Sequence, residues 1–155
     1  MKFLRNHMMT KCYLDSNILL YYIFEDSDYF NDVRDLLISL RVDKFDIYIS
    51  PLTLDEFAHQ MDHLSRTSKH RRKDYYYLLE IMIDTILNMP NLIIINPPIS
   101  SKKQRKMIEL MQKYNLRPRD AYHILTILEN DIEYIATYDK DFDKVIKSGI
   151  IKKYN

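Results

Sequence analysis

KCYLDSNILL, residues 11–20, predicts a strand that runs almost directly into a helix. Residues 11–15 form a short and mostly apolar run, and further apolar residues follow at helical spacing, beginning with Ile18 and Leu19. The strand therefore ends on Asp15, a charged residue at a point in the chain where burial is expected. A buried carboxylate without a partner costs free energy, so this aspartate needs one.

Strands and helices alternate along the rest of the chain. Short apolar or β-branched runs predict three more strands, at residues 45–49, 92–95 and 134–137. Apolar residues at helical spacing predict the helices, which are residues 29–40, a helix that starts at Ser50-Pro51, and residues 75–89, 102–114 and 120–130. This order favours an α/β fold, a parallel sheet flanked by helices on both faces in three layers. The run at residues 92–95 is expected to be a central strand.

Size and composition indicate one ordinary globular domain. The chain has 155 residues, which is a usual length for one domain, and we assign residues 11–155 to it and residues 1–10 to an N-terminal extension. The single cysteine, Cys12, excludes a disulfide framework within the chain, which fits a cytoplasmic protein. No apolar run approaches the roughly 20 residues of a membrane span. We therefore expect no membrane partner.

Four acidic residues are expected to meet at one edge of the sheet. Asp15 closes the first strand, Glu56 lies in the first turns after the second, and Asp139 follows the fourth almost at once. Ligand sites of such folds lie beyond the carboxyl ends of the strands. Asp120 opens a helix at a similar junction and can complete the cluster. An ordinary role in capping a helix start also explains Glu56 or Asp120 when each is taken singly.

A cluster of carboxylates needs a positive counter-charge. Two unit charges about 4 Å apart repel by roughly 4 kcal/mol at an effective dielectric constant near 20. Oxygen ligands suit a hard cation, so the four acids predict a site for Mg²⁺ or Mn²⁺. Such an ion can activate water and neutralise charge on a phosphodiester. The predicted ligands are chiefly Asp15, Asp120 and Asp139, with Glu56 as a ligand or a water-orienting base.

Three further residues could assist these acids. Asp141 and Asp143 lie close to Asp139 in the chain, although acids there are more commonly solvated, and His59 could line the cleft beside Glu56. Acid-x-x-His spacing, Glu56 with His59 and Asp120 with His123, is also the spacing of di-iron helix bundles. The β-branched runs between the helices argue against a bundle.

Local basic clusters are the candidate contacts for a polyanion, because the net charge of the chain is only +1. The residues that we expect to hold a nucleic-acid backbone are Arg66, Lys69, Arg71, Arg72, Lys73, Lys102, Lys103, Arg117 and Arg119. Exposed tyrosine near residues 75–77 could stack unpaired bases, although core packing is the expected use of two of the three. A single-stranded nucleic acid is then the preferred substrate.

Four segments resemble the signature regions of the PIN-domain nucleases and occur in the same order. They are YLDSN (residues 13–17), SPLTLDEF (50–57), RPRDAYHI (117–124) and ATYDKDF (136–142). The resemblance implies that Asp15, Glu56, Asp120 and Asp139 bind metal and that Asn17 and Thr137 support them. It also implies Mg²⁺- or Mn²⁺-dependent RNA cleavage, a five-stranded parallel sheet and frequent homodimers. Many microbial members are toxins of toxin–antitoxin pairs, so a small antitoxin is an expected partner.

Three functions are compatible with these patterns. The first is a divalent-metal-dependent endoribonuclease, which could be the toxin of such a pair. The second is a catalytically silent RNA-binding or interaction module of the same fold. The third is a phosphatase of the haloacid-dehalogenase type, which also opens on a strand that ends in aspartate but needs a second aspartate where this chain has Asn17. A P-loop enzyme is excluded because the chain has no G-x-x-x-x-G-K-[ST] run.

Overall fold

A five-stranded parallel sheet forms the centre of the molecule. The computed structural model describes residues 9–67 and 74–155. The strands are β1 (Lys11–Leu14), β2 (Asp46–Ile49), β3 (Leu92–Ile94), β4 (Tyr134–Ala136) and β5 (Lys152–Lys153). Their order across the sheet is β3-β2-β1-β4-β5, and every paired neighbour is parallel. Because β1 lies in the middle, Asp15 follows the strand at the centre of the sheet.

Helices connect the strands and cover both faces of the sheet. Their bounds are α1 (Ser16–Ile23), α2 (Phe30–Val42), α3 (Pro51–Thr67), α4 (Tyr75–Leu87), α5 (Ser101–Tyr114), α6 (Pro118–Glu129) and α7 (Asp143–Lys147). A 3-10 turn, Lys140–Phe142, precedes α7. The three-layer α/β/α architecture predicted from the alternating pattern is confirmed. Within residues 9–67 and 74–155, no helix has the length and apolar character needed to cross a membrane.

Alternation along β1 divides the core between the two faces. Cys12 and Leu14 belong to one buried cluster, in which α1, α2 and α3 contribute residues such as Phe57. Tyr13 belongs to the other cluster, with Ile124 of α6. Successive side chains of a strand point to opposite faces, so the burial of three consecutive residues, Cys12 to Leu14, shows that β1 is covered on both faces. Tyr13 is 0% exposed, which brings its hydroxyl group into the interior.

Prolines set the starts of α3 and α6; the sequence predicts the first, whereas α6 begins two residues before the predicted start at Asp120. Pro51 and Pro118 are the first helical residues, where the missing N–H leaves no hydrogen bond unmade. At the start of α3 the Ser50 carbonyl accepts from the Thr53 amide at 3.0 Å, and the Ser50 amide donates to the Thr53 hydroxyl at 3.2 Å. These two starts place Glu56 and Asp120 in the first two turns of their helices.

Two expectations about local packing are wrong. The strand at residues 92–94 lies at the edge of the sheet, not at its centre, and Ile93 and Ile94 are 39% and 49% exposed. A β-branched run indicates a strand but not its place in the sheet order. Tyr76 and Tyr77 are 81% and 65% exposed, so two of the three tyrosines at residues 75–77 lie at the surface and do not pack in the core.

The strand β5, at one end of the sheet, was not predicted from local pattern. β5 is only two residues long and consists of Lys152 and Lys153, a pair that gives no apolar signal for a strand. Its presence completes the five strands that the family resemblance implied. The extension predicted at residues 1–10 lies outside the described residues up to position 8. Thr10 already joins the sheet, because its carbonyl accepts from the Asp46 amide at 2.9 Å.

Candidate active site

The predicted acids line one cleft at the carboxyl edge of the sheet. The cleft has a volume of about 800 Å³, and its walls include Asp15, Glu56, Asp120, Asp139 and Asp141. Parallel strands place their carboxyl ends on the same side, which explains how residues far apart in the chain reach one place. The structure thus brings the four proposed ligands together.

Asp15 forms the floor of the cleft and is held on both carboxylate oxygens. Its side chain follows β1, is only 5% exposed, and accepts from the Ser16 amide at 2.7 Å. Asn17 Nδ2 donates to the other oxygen at 2.7 Å, and the Thr137 hydroxyl donates to it at 2.6 Å. Burial raises the pKa of Asp15, and the Thr137 hydrogen bond opposes that rise. Its three hydrogen-bond donors fix the orientation of the carboxylate.

Thr137 and Asn17 join Asp15 to the loop that carries Asp139. The Thr137 hydroxyl accepts from the Asp139 amide at 2.9 Å while it donates to Asp15. Asn17 Oδ1 accepts from the Tyr138 amide at 3.3 Å. Asp139 in turn accepts from the Asp141 amide at 2.8 Å, which starts the 3-10 turn. Asn17 and Thr137, the two small polar residues expected to support the acids, therefore contact both Asp15 and the loop that carries Asp139.

Burial and neighbouring acids raise the pKa of Asp120. It lies in the first turn of α6, and its pKa rises from 3.8 to about 6, first because of partial burial and then because of repulsion from Asp139 and Asp141. A carboxylate with a raised pKa gains from a cation that restores its charged form. A cation in the cleft would therefore stabilise the ionised form of Asp120.

Glu56 contacts a histidine that the sequence reasoning did not select. Glu56 Oε2 lies 2.9 Å from Nε2 of His123, a residue of α6 that is 1% exposed. Burial acts to raise the pKa of Glu56, but the hydrogen bond and charge of His123, together with Ser16 and Arg119, outweigh it and the pKa is lowered. The sequence did contain a signal, because His123 follows Asp120 by three residues. That spacing suggested a di-iron bundle, which the α/β/α fold rules out.

The three assisting candidates separate in the structure. Asp141 lines the cleft and lies 3.8 Å from Arg117, and His59 is exposed on the cleft wall. Asp143 is exposed at the start of α7 and is not among the residues that line the cleft. A substitution at Asp143 is therefore a suitable control for substitutions of the cleft acids.

The basic candidates also separate. Arg117 and Arg119 line the cleft, and Arg119 lies 3.6 Å from Asp55. Lys103 instead pairs with Glu129 at 2.6 Å, and Arg66 pairs with Asp62 at 2.7 Å. Lys102 is exposed on α5. The remaining basic candidates lie outside the described residues, namely Lys69, Arg71, Arg72 and Lys73. Only the two arginines at the start of α6 share the cleft with the acids among the described basic candidates.

The donor set of the cleft fits a hard divalent cation. Asp15, Glu56 and His123 have ligand atoms within 4.8 Å of one another, and Asp120 and Asp139 line the same space. The guanidinium groups nearby pair with other acids, Arg117 with Asp141 and Arg119 with Asp55. Carboxylate oxygens are the ligands that Mg²⁺ and Mn²⁺ prefer. The residues present therefore suit such an ion.

Comparisons with known proteins agree with this geometry. A family model described as PIN domain matches residues 12–147. FitAcB from Neisseria gonorrhoeae is similar in structure, with a TM-score of 0.65 and 18% identity over 93% of this chain and 96% of that one. So is VapBC2 from Rickettsia felis bound to a DNA fragment from its promoter, with a TM-score of 0.61, 18% identity, and coverage of 93% and 97%.

A third similar structure is VapC20 of Mycobacterium tuberculosis, described as a sarcin-ricin loop cleaving toxin. Its TM-score is 0.59, with 12% identity over 86% of this chain and 94% of that one. At such identities the likeness of structures concerns the fold. No curated protein sequence matches the chain.

Proposed function

We propose that this chain, which belongs to the PIN-domain family, is a divalent-metal-dependent endoribonuclease that hydrolyses RNA phosphodiesters. The observation that carries the proposal is the convergence of Asp15, Glu56, Asp120 and Asp139 on one cleft. The raised pKa of Asp120 supports it, because burial and then repulsion from Asp139 and Asp141 disfavour its charge, which a bound cation would stabilise. This arrangement has a chemical use in phosphodiester hydrolysis and little use in stabilising the fold.

Mg²⁺ or Mn²⁺ would be held by Asp15, Asp120 and Asp139, with Glu56 as a further ligand or as a base. Such an ion supplies positive charge that stabilises a developing phosphate oxyanion and increases the acidity of water. Asp15 is held in place by Ser16, Asn17 and Thr137, so its oxygens do not have to reorient on binding. The lowered pKa of Glu56 keeps its carboxylate ionised, so that it can bind the ion or accept a hydrogen bond that orients the attacking water.

Two features of the cleft support a single-stranded nucleic acid as the substrate. Arg117 and Arg119 stand beside the acids and can neutralise the phosphates that flank the scissile bond. Tyr21 and Tyr138 also line the cleft, where their rings can stack on unpaired bases. The description of VapC20 as a sarcin-ricin loop cleaving toxin supports a cleavage activity on this fold.

A protein partner and self-association are part of the same proposal. VapC20 is described as a toxin, and by analogy this chain would act as the toxin of a toxin–antitoxin pair. Exposed apolar side chains on α3 and α4 support a partner surface, namely Leu64, Tyr76, Tyr77 and Ile81.

We expect a homodimer in solution, which light scattering coupled to size-exclusion chromatography measures directly. A monomer at micromolar concentration would contradict that part.

The direct test is cleavage by the wild-type protein. A mixed-sequence single-stranded RNA, the matching DNA and p-nitrophenyl phosphate are each incubated with Mg²⁺, with Mn²⁺ and with EDTA. RNA cleavage that requires a divalent ion is the expected result. Hydrolysis of p-nitrophenyl phosphate alone would favour a phosphatase, and RNA binding without cleavage would favour the silent module. Cleavage that persists in EDTA would reject the proposal.

Substitution of the cleft arginines should weaken RNA binding and leave the chemical step intact. Arg117→Ala and Arg119→Ala are each expected to raise KM several-fold and to reduce the salt dependence of binding by about one counterion. Lys103→Ala is the matched control, because it also removes a paired cation but lies outside the cleft lining. Fluorescence anisotropy across a salt series gives the salt dependence of binding, and cleavage rates at several RNA concentrations give KM. Equal effects of all three substitutions would show that binding does not depend on the cleft.

A further inference from the structure

We infer that His123 is a positioning residue for Glu56, and that a buried chain of hydroxyl groups on Tyr13, Ser50 and Thr53 fixes its ring. The consequence for catalysis rests on the proposed nuclease function. The hydrogen-bonding pattern stands on the structure alone.

The chain of contacts crosses three elements of the fold. Tyr13 of β1 places its hydroxyl 2.8 Å from His123 Nδ1, and the other ring nitrogen of His123 lies 2.9 Å from Glu56 of α3. The Tyr13 hydroxyl also lies 2.6 Å from the Ser50 hydroxyl and 2.8 Å from the Thr53 hydroxyl. All of these groups except Glu56 are at most 1% exposed.

The charge of Glu56 sets the direction of the hydrogen bonds along this chain of contacts. An ionised Glu56 only accepts, so Nε2 of His123 must carry the proton that it donates. In the neutral ring Nδ1 is then an acceptor, and it takes the hydroxyl proton of Tyr13. The Tyr13 oxygen has two lone pairs left, and they match the two hydroxyl donors of Ser50 and Thr53.

The Thr53 oxygen accepts from the Ser50 amide at 3.2 Å, and the Thr53 hydroxyl proton is left to be donated to Tyr13. Every buried polar side-chain atom among the described residues finds a partner. Such a fully satisfied network holds its members in one arrangement, whereas a partly satisfied one is costly. In either charge state of the ring, Nε2–H donates to Glu56.

This geometry gives His123 a role different from that of a metal ligand. Asp15, Glu56 and His123 have ligand atoms close enough to hold an ion together, but both ring nitrogens of His123 are engaged inside the protein. The ring therefore holds Glu56 Oε2 and leaves the ion to the acids. Groups that orient a ligating carboxylate commonly contribute about 10–100-fold to metal affinity or activity.

The protonation of the ring is measurable without any activity. Long-range ¹H–¹⁵N correlation NMR of the metal-free protein, with His123 assigned by comparison with the His123→Gln spectrum, reports which nitrogen carries a proton. A protonated Nε2 is the expected result. An unprotonated Nε2, or exchange between tautomers, would overturn the inference even if the protein cleaves RNA. A protonated Nε2 in a protein without RNase activity would sink only the nuclease proposal.

Two amides of different length separate positioning from packing. His123→Gln can place an N–H near the position of Nε2, whereas the shorter side chain of His123→Asn reaches only the position of Nδ1. We expect His123→Asn to lower kcat by about 10–100-fold with little change in KM, and His123→Gln to recover part of that loss. Thr126→Val, which removes a buried hydroxyl from the same helix, is the control for packing. Equal losses in the two histidine variants would contradict the inference.

Coupling to Glu56 completes the test. If His123 acts through Glu56, His123→Asn should have almost no further effect on kcat in a Glu56→Gln background. Independent effects that multiply would overturn the inference. Should His123→Asn fail to fold, Tyr13→Phe provides the same test, because it removes one hydroxyl and keeps the ring in the core. Its expected loss is smaller, up to about tenfold, and it should also vanish in the Glu56→Gln background.

Discussion

Asp15→Asn is expected to lower the rate of RNA cleavage by about 10³-fold or more, because a bound ion contributes several kcal/mol to stabilisation of the transition state. Asp15 is the best-held acid of the cleft, with three donors on its two carboxylate oxygens. Substitution by asparagine keeps the size of the side chain but removes its charge. It therefore removes a ligand with little change in packing.

The fold should survive this substitution. One end of the new amide would face donors from Asn17 and Thr137 or from Ser16, which costs about 1–3 kcal/mol of hydrogen bonding. Loss of a buried charge, whose pKa is already raised by burial, offsets part of that cost. Circular dichroism tests the fold, and single-turnover cleavage tests the rate. Asp143→Asn is the control, since Asp143 is exposed and outside the cleft lining. A loss of less than tenfold for Asp15→Asn would contradict its role.

Asp120→Asn should lower activity and raise stability in the metal-free protein. The pKa of Asp120 is raised from 3.8 to about 6, so the neutral form suits the fold better than the ionised form. The stability that this group contributes is complete below its unfolded pKa and is lost as the pH rises through the folded value. At neutral pH its charge therefore destabilises the protein.

The expected gain in the free energy of unfolding at neutral pH is about 1 kcal/mol. The full shift corresponds to more, but Asp120 is partly solvated, and solvent screens its repulsion. A change of this size raises Tm by about 2–4 °C in a protein of this length. The gain should fade as the pH is lowered from about 6 toward 3.8, where Asp120 of the wild type is itself protonated.

Thermal unfolding in EDTA across that pH range measures the effect, and single-turnover cleavage should fall by about 10²-fold or more in the same variant. Added Mn²⁺ should stabilise the wild type more than Asp120→Asn, because the substitution removes a ligand. A lower Tm for the variant at neutral pH in EDTA would show that the acids do not repel as described. An unchanged cleavage rate would remove Asp120 from the site.

The acids could be predicted because their positions follow from a rule of the fold. Three of them come shortly after a strand, and parallel strands place those points at one edge of the sheet. Local pattern was enough for Asp15, Glu56 and Asp139, since each strand was visible in the sequence. The supporting roles of Asn17 and Thr137 came only from the family resemblance, and the structure shows the contacts that make them plausible.

The contacts that were missed join residues far apart in the chain. Glu56 and His123 are separated by 67 positions, and Tyr13 and His123 by 110. Spacing along one helix instead suggested pairs of Asp120 with His123 and Glu56 with His59. Tertiary packing decided which acid the histidine meets, and no periodic pattern encodes that choice.

Sheet order and ion pairs were hidden for the same reason. The run at residues 92–94 has the composition of a central strand, yet its place at the edge depends on how the whole chain crosses the sheet. Lys103 belongs to a basic cluster in the sequence, but Glu129 on another helix pairs with it. Charge clusters therefore indicate where cations are frequent, and the fold decides which of them remain for a phosphate.

The most direct test of the account is a Mn²⁺ titration in which binding, followed by electron paramagnetic resonance, and RNA cleavage are measured in the same samples. The wild type should bind Mn²⁺, and its cleavage rate should reach half its maximum at the concentration that half-fills the site. Asp15→Asn should lose both together. Cleavage without bound Mn²⁺ or Mg²⁺, or Mn²⁺ affinity unchanged in Asp15→Asn, would show that the four acids do not form the metal site of a nuclease.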